Sequence, residues 1–167
     1  MEEVALGIGS NMGDAIGNCE EAVNILERRR ILDIICVSSW YSTEPQGHRD
    51  QNWFINGAVF GKTALSPREL LHSIKKIEVD MGRTETFRWG PRVIDIDILL
   101  YGENGQTCVD EDDLHIPHLM LHARRFVLIP LIEIAPSLRH PVYQRSLKTL
   151  LKQIPLDGQK VKRVKKR

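Results

Sequence analysis

Asp95 and Asp97 stand two residues apart in the run Arg88-Trp89-Gly90-Pro91-Arg92-Val93-Ile94-Asp95-Ile96-Asp97-Ile98-Leu99-Leu100-Tyr101-Gly102. On a strand, that spacing puts both carboxylates on one face and Ile94, Ile96 and Ile98 on the other. Two carboxylates side by side repel each other, so either their face meets water or a cation lies between them. Arg88 and Arg92 come just before, on a segment held by Gly90-Pro91. Hard oxygen ligands beside guanidinium forks suggest a magnesium-bound phosphate substrate. An Asp-x-Asp on its own reads more simply as the wet face of an edge strand.

The elements that position this run belong to one domain. A chain of 167 residues can bury a real core. Its 42% hydrophobic and 27% charged content is ordinary for a globular protein. The net charge of +1 hides an asymmetry. Residues 160–167 hold six of the 23 Lys and Arg and no acid; the remaining 17 face 22 acids, a net of −5. We expect one domain over 1–159 and a basic, disordered tail over 160–167. Cys19, Cys36 and Cys108 form no CxxC pair, so neither a zinc site nor a disulfide framework is indicated. No apolar run reaches the ~18 residues of a membrane span, and the Met-Glu-Glu start carries no secretory signal. A cytoplasmic monomer with no membrane or nucleic-acid partner is expected.

Val4 to Gly9 reads as a buried strand, Ser10 to Asp14 as a turn, and roughly 15–30 as a helix. Gly7-x-Gly9 lacks dinucleotide-binding spacing, because position 12 is Met12. A second strand is expected from Ile31 to Tyr41 and a third from Trp53 to Phe60. The polar connection 42–52 is long for a hairpin, as binding loops and lids are. Ser66-Pro67-Arg68-Glu69 supplies the N-cap, N1 and N3 of a helix whose stripe Leu70, Leu71, Ile74, Ile77 and Met81 ends at Gly82. Residues 82–92 form a second long loop, carrying Arg83, Arg88, Trp89 and Arg92 to the Asp strand. A polar hairpin or loop follows over 103–113. An apolar helix over 123–134, interrupted at Pro130, and a short helix near 146–153 complete the chain. Strand-helix-strand-strand-helix-strand over 4–101 gives an α+β fold, a ferredoxin-like sandwich. Its antiparallel sheet would carry helices on one face, leaving the other as a platform walled by the two long loops.

Arg-Trp-Gly-Pro-Arg, two residues, Asp, an apolar residue and Asp, at 88–97, resembles the signature of the 6-hydroxymethyl-7,8-dihydropterin pyrophosphokinase family of folate biosynthesis. The resemblance covers roughly 4–150. It implies transfer of pyrophosphate from ATP to the hydroxymethyl oxygen of 6-hydroxymethyl-7,8-dihydropterin, leaving AMP. It implies two Mg2+ ions on Asp95 and Asp97, with Arg83, Arg92 and Asp97 catalytic. The pterin would meet Thr43, Glu44, Pro45, Gln46, Phe54, Asn56, Trp89 and Phe126, with Trp89 and Phe126 enclosing its ring. ATP would meet Lys75, Glu78, Arg83, Arg88, Arg92, Ile98, His118 and Arg124. From the residues alone, Phe54 is ordinary core, Lys75 and Glu78 are a solvated helix face, and His118 is a surface histidine. Thr84-Glu85-Thr86 departs from a stretch that is often basic in relatives, which puts extra phosphate contacts there in doubt. No Walker A loop is present, since Gly61-Lys62-Thr63 has Asn56 where the earlier glycine belongs.

Two rivals are open. An RNA-recognition module shares the element order but would need an aromatic strand motif that this chain lacks. Another ATP-magnesium transferase acting on a different heterocycle is separated only by Phe54, Asn56 and Phe126.

Overall fold

Strand β1 (Glu2–Ser10) has two unlike faces. Val4, Leu6 and Ile8 are buried among apolar side chains on one; Ala5, Gly7 and Gly9 leave the other nearly flat. The computed structural model describes residues 1–84 and 86–165. Helix α1 (Ala15–Arg28) starts where the Asp14 carboxylate accepts from Gly17 N, and lays Cys19, Ala22, Ile25 and Leu26 on the apolar face of β1.

Two strands replace the single one expected over 31–41. Ile31 and Leu32 stay with the end of α1, their N–H groups bonded to Leu26 O. β2 (Asp33–Val37) follows, then a break, then β3 (Tyr41–Thr43). Ser38 makes the break: its Oγ accepts from Ala58 N at 2.8 Å and donates to Ser39 O at 2.7 Å. β4 (Phe54–Thr63) pairs with β1 on one edge and with both β2 and β3 on the other. α2 (Pro67–Asp80) has the capping box read from Ser66 and Glu69, and buries Leu70, Ile74 and Ile77. β5 (Asp95–Tyr101) closes that side of the sheet against β1. A register shift opposite Ala5 and Leu6 turns both Leu99 and Leu100 to the second face.

β6 (Val109–Glu111) and β7 (Leu114–Ile116) form the polar hairpin. α3 (Arg125–Ile134) and α4 (Leu147–Lys152) follow. α3 begins two residues later than expected and runs through Pro130, which costs it a single N–H donor rather than breaking it. Leu128, Leu131, Leu147 and Leu150 pack over Ala5, Ala58, Leu99 and Leu100. Helices therefore cover both faces of the sheet, not one, because small residues on β1 and β4 let α3 lie close. The platform is what α3 leaves uncovered.

The tail is also corrected. Residues 161–163, expected to be disordered, form β8 (Val161–Arg163) antiparallel to β3; residues 166–167 lie outside the described part. No helix among the described residues is long and apolar enough to cross a membrane.

Candidate active site

The site lies on the flat face of β1, at the N-terminal end of α3, which forms one of its walls. Asp97 pairs with Gly7 and Asp95 with Gly9 across the β1–β5 ladder, and Asn56 pairs with Gly9 from β4. A Cβ on Gly9 would come within 2.4 Å of Asn56 Oδ1. Glycine is needed there so that the amide can lie across the strand. Asn56 Nδ2 donates to Thr43 Oγ1 at 2.7 Å, which turns Oδ1 toward the glycine floor.

Around this floor is a cavity of about 260 Å³. One wall is the strap Thr43, Glu44 and Gln46, with Phe54 and Asn56. The loop 82–92 supplies Arg83, Arg88, Trp89 and Arg92. β5 gives Asp95 and Asp97, and the start of α3 gives Arg124 and Phe126. Lys75 lies in an adjoining hollow of about 380 Å³, which shares Arg83 and Arg92 with the first.

Other expected residues fall elsewhere. Ile98 faces the apolar core, 6% exposed, on the side of β5 away from Asp97. Pro45 is buried beside the cavity without lining it. Glu78 is only 2% exposed and already engaged: Oε2 accepts from Ile96 N at 3.0 Å and from Arg83 Nη1 at 2.5 Å, and Lys75 Nζ lies 3.3 Å from Oε1. Arg83 passes on to Asp95 Oδ1 at 3.1 Å. The carboxylate expected on ATP thus anchors an arginine between α2 and β5. Glu85 lies outside the described residues.

Charge is held here against its ordinary tendency. Burial raises the Asp97 pKa well above the usual carboxylate range, Asp95 and Glu78 add to the shift, and Arg124 and Lys75 oppose it. His118 is 4.0 Å from Asp97 Oδ2 through Nε2. Burial and then Arg124 push its pKa down to about 4. Its Nδ1 accepts from Met120 N at 3.1 Å, so the neutral ring carries its proton on Nε2 and points it toward Asp97. Burial lowers the Arg124 pKa, against the opposing pull of Asp97 and Asp95. The Arg124 guanidinium sits 5.5 Å from the Trp89 ring and 5.6 Å from Phe126. Arginine thus lies between the two aromatics expected to enclose a heterocycle.

Two residues that sequence reasoning left as turn and loop tie the long loops together. Asn11, 4% exposed, donates to Gln51 Oε1 and Asn52 O at 2.9 and 3.0 Å, and its Oδ1 accepts from Arg92 N at 2.8 Å. Gln51 Nε2 then donates to Trp89 O at 2.7 Å. Gly47 lies against the Trp89 side chain: a Cβ there would approach Trp89 Cγ to 2.9 Å, on a backbone at φ +76°. Nothing local in the sequence announces that Asn11 is buried between the two loops.

A family model described as 7,8-dihydro-6-hydroxymethylpterin-pyrophosphokinase matches residues 5–136. An Aquifex aeolicus protein named 2-amino-4-hydroxy-6-hydroxymethyldihydropteridine pyrophosphokinase is 43% identical over 148 residues, 89% of each chain. A Pseudomonas aeruginosa protein of the same name is 38% identical over 95% of each. A folic acid synthesis protein of Dictyostelium discoideum is 43% identical over 93% of this chain but only 23% of its own length. Among solved structures, a Plasmodium falciparum HPPK-DHPS crystal structure matches with a TM-score of 0.69 at 19% identity, over 92% of this chain and 43% of that one. That last match bears on the fold alone.

Proposed function

The chain belongs to the 7,8-dihydro-6-hydroxymethylpterin-pyrophosphokinase family, and on that premise we propose how its own residues carry the reaction. The enzyme is an ATP-dependent diphosphotransferase of folate synthesis, moving pyrophosphate onto 6-hydroxymethyl-7,8-dihydropterin. The observation that carries the assignment of roles is one cavity in which Asp95 and Asp97, on a glycine floor, meet Arg83, Arg92 and Arg124.

The donor set suits magnesium. Among the described residues no three His, Cys, Asp or Glu side chains cluster as a cage. Magnesium needs few protein ligands, because water and substrate phosphates complete its shell. Asp95 and Asp97 would hold it, as two ions, while Glu78 is committed to Arg83 and Ile96 N. When bound, the metal neutralises charge on the triphosphate.

Arg83 and Arg92 grip phosphate oxygens from the loop, Lys75 from the adjoining hollow, and Arg124 from the opposite wall. Arg88 contributes from its place over Trp89 at 5.1 Å. Arg124 leaves the aromatic pair to do so, and the pterin takes its place against Phe126 and Trp89, with Phe54 beside it. Asn56 Oδ1 and the Thr43–Gln46 backbone read the ring edge, where donors and acceptors alternate. The substrate hydroxyl gives its proton to Asp97. Its oxygen bonds to the β-phosphorus as the bond from that phosphorus to the α-phosphate oxygen breaks, and AMP departs. His118 Nε2–H faces Asp97 across 4.0 Å. Positioning and charge stabilisation are the main contributions.

The sheet order β5-β1-β4, with β2 and β3 beyond, supports a ferredoxin-like sandwich. Three free cysteines support a cytoplasmic protein, and we infer a monomer. The test is a single turnover with ATP, magnesium and the pterin, followed by nucleotide chromatography. AMP in step with pterin diphosphate is expected; ADP as the sole product would overturn the mechanism.

A further inference from the structure

We propose that residues 158–164 are a clamp that fixes the spacing of two walls of the cavity, the 43–46 strap and the start of α3. The inference rests on the assignment of that cavity to the pterin. β8 pairs with β3 in the register Tyr41–Arg163, Ser42–Lys162 and Thr43–Val161. Main-chain bonds continue past both ends: Glu44 N donates to Lys160 O at 3.0 Å, and Val164 N to Trp40 O at 2.9 Å. Antiparallel alternation makes Ser42 and Lys162 the hydrogen-bonded pair between them. The strap therefore hangs from the tail as well as from β4.

The same segment reaches the opposite wall. The Arg124 side chain gives α3 no cap at its N-terminus. Gln159 supplies it from 34 residues away: Oε1 accepts from Arg125 N at 3.0 Å. Gln159 O accepts from Arg125 Nε at 3.2 Å, and Gln159 Nε2 donates to Ala123 O at 3.3 Å. Gly158, at φ +76°, lies against Arg49 of the 44–53 loop. Glu133 joins the far end of α3 to the start of β3, accepting from Ser39 N at 2.5 Å and Tyr41 Oη at 2.6 Å. The near end, which carries Arg124 and Phe126, is held by the tail. A flat bicyclic ring binds better between walls already held apart, since ordering mobile walls subtracts from affinity. The clamp is thus a positioning element chiefly for the heterocycle, both of whose walls it holds, and touches the nucleotide only through Arg124.

Lys162→Pro removes the central ladder donor, and Lys162→Ala keeps it; the side chain itself is exposed. Relative to Lys162→Ala, the proline variant should exchange its amides faster over 42–46 and 125–128. Its KM for the pterin should rise about tenfold and KM for ATP less, because only Arg124 carries the loosening to the nucleotide. Gln159→Ala should move the 125–128 exchange and the pterin KM in the same direction. Unchanged exchange over the strap would overturn the clamp, and so would an equal rise in both KM values. A wild-type enzyme that fails to turn over the pterin would instead overturn the cavity assignment, on which the exchange readout does not depend.

Discussion

The two faces of β1 and β5 do opposite things for stability. Toward α1 and α2, Leu6, Ile8, Ile96 and Ile98 are at most 6% exposed and pack in one apolar cluster. Toward the cavity, the same strands present Gly7, Gly9, Asp95 and Asp97, with arginines above them. The first face gains from every side chain that it buries. The second holds like charges together and leaves Arg124 Nε buried without a hydrogen bond. The strands can keep that patch because α1 and α2 bind their other face and α3 and α4 cover the rest of this one. At the cavity, stability and chemistry are thus separated across the thickness of one sheet.

The widest test of that separation is Asp97→Asn. Turnover should fall at least about 10³-fold, because both charge neutralisation and the proton acceptor are lost. Folding should not suffer. The folded pKa of Asp97 is raised, so the folded state disfavours its ionised form. Above pH ~4 wild type gives up stability that the Asn variant keeps, so the metal-free melting-temperature gap should widen as pH rises. The converse change is Leu6→Ala, on the other face of β1. It should cost about 2–5 kcal/mol of stability, read by denaturant unfolding. In the cold its kcat should remain near that of wild type. A Leu6 variant that folds well but loses kcat would show that the faces are not separate.

Asn11→Ala should come next. It strands the Arg92 N–H and the loop groups that Asn11 joins, a loss of about 1–3 kcal/mol. The loss should appear as faster amide exchange in both long loops and a higher KM for each substrate, with the core's exchange unmoved. His118→Gln should change least in pH dependence. With its pKa near 4, the ring is neutral throughout the physiological range. The pH–rate profiles of variant and wild type should therefore share one shape above pH ~6. A limb near pH 6.5 present only in wild type would contradict the neutral assignment.

The apolar face was the more legible of the two. Alternation in β5 and the Ser66–Glu69 cap are local patterns, and both stand where the sequence put them. The alternation also placed Ile98 opposite Asp97, so its assignment to ATP by resemblance ran against its own periodicity. Of the cavity lining, the acidic pair and the loop arginines were readable from type and spacing, and Asn56 came only with the resemblance. What escaped was long-range polar pairing. Glu78 looked solvated because nothing local announces that Arg83 and the Ile96 amide will bury it. Asn11 and Gln51 meet only through a fold that brings residues 40 apart together. The tail's composition spoke for disorder, yet the unpaired edge of β3 decided its structure. The helices over 123–134 and 146–153 were expected, but nothing local says that Ala5 and Ala58 are the floor on which they pack.

The most direct measurement compares wild type with the Asp95→Asn, Asp97→Asn double variant by thermal unfolding, first without metal and then with magnesium and a non-hydrolysable ATP analogue. If the acidic face is a metal and triphosphate site held at a cost in stability, the order should reverse. The variant should melt higher without ligands, and wild type should melt higher with them, because ligand binding to the folded state adds stability. A wild-type protein that melts higher in both conditions, or gains nothing from magnesium and the analogue, would contradict the account.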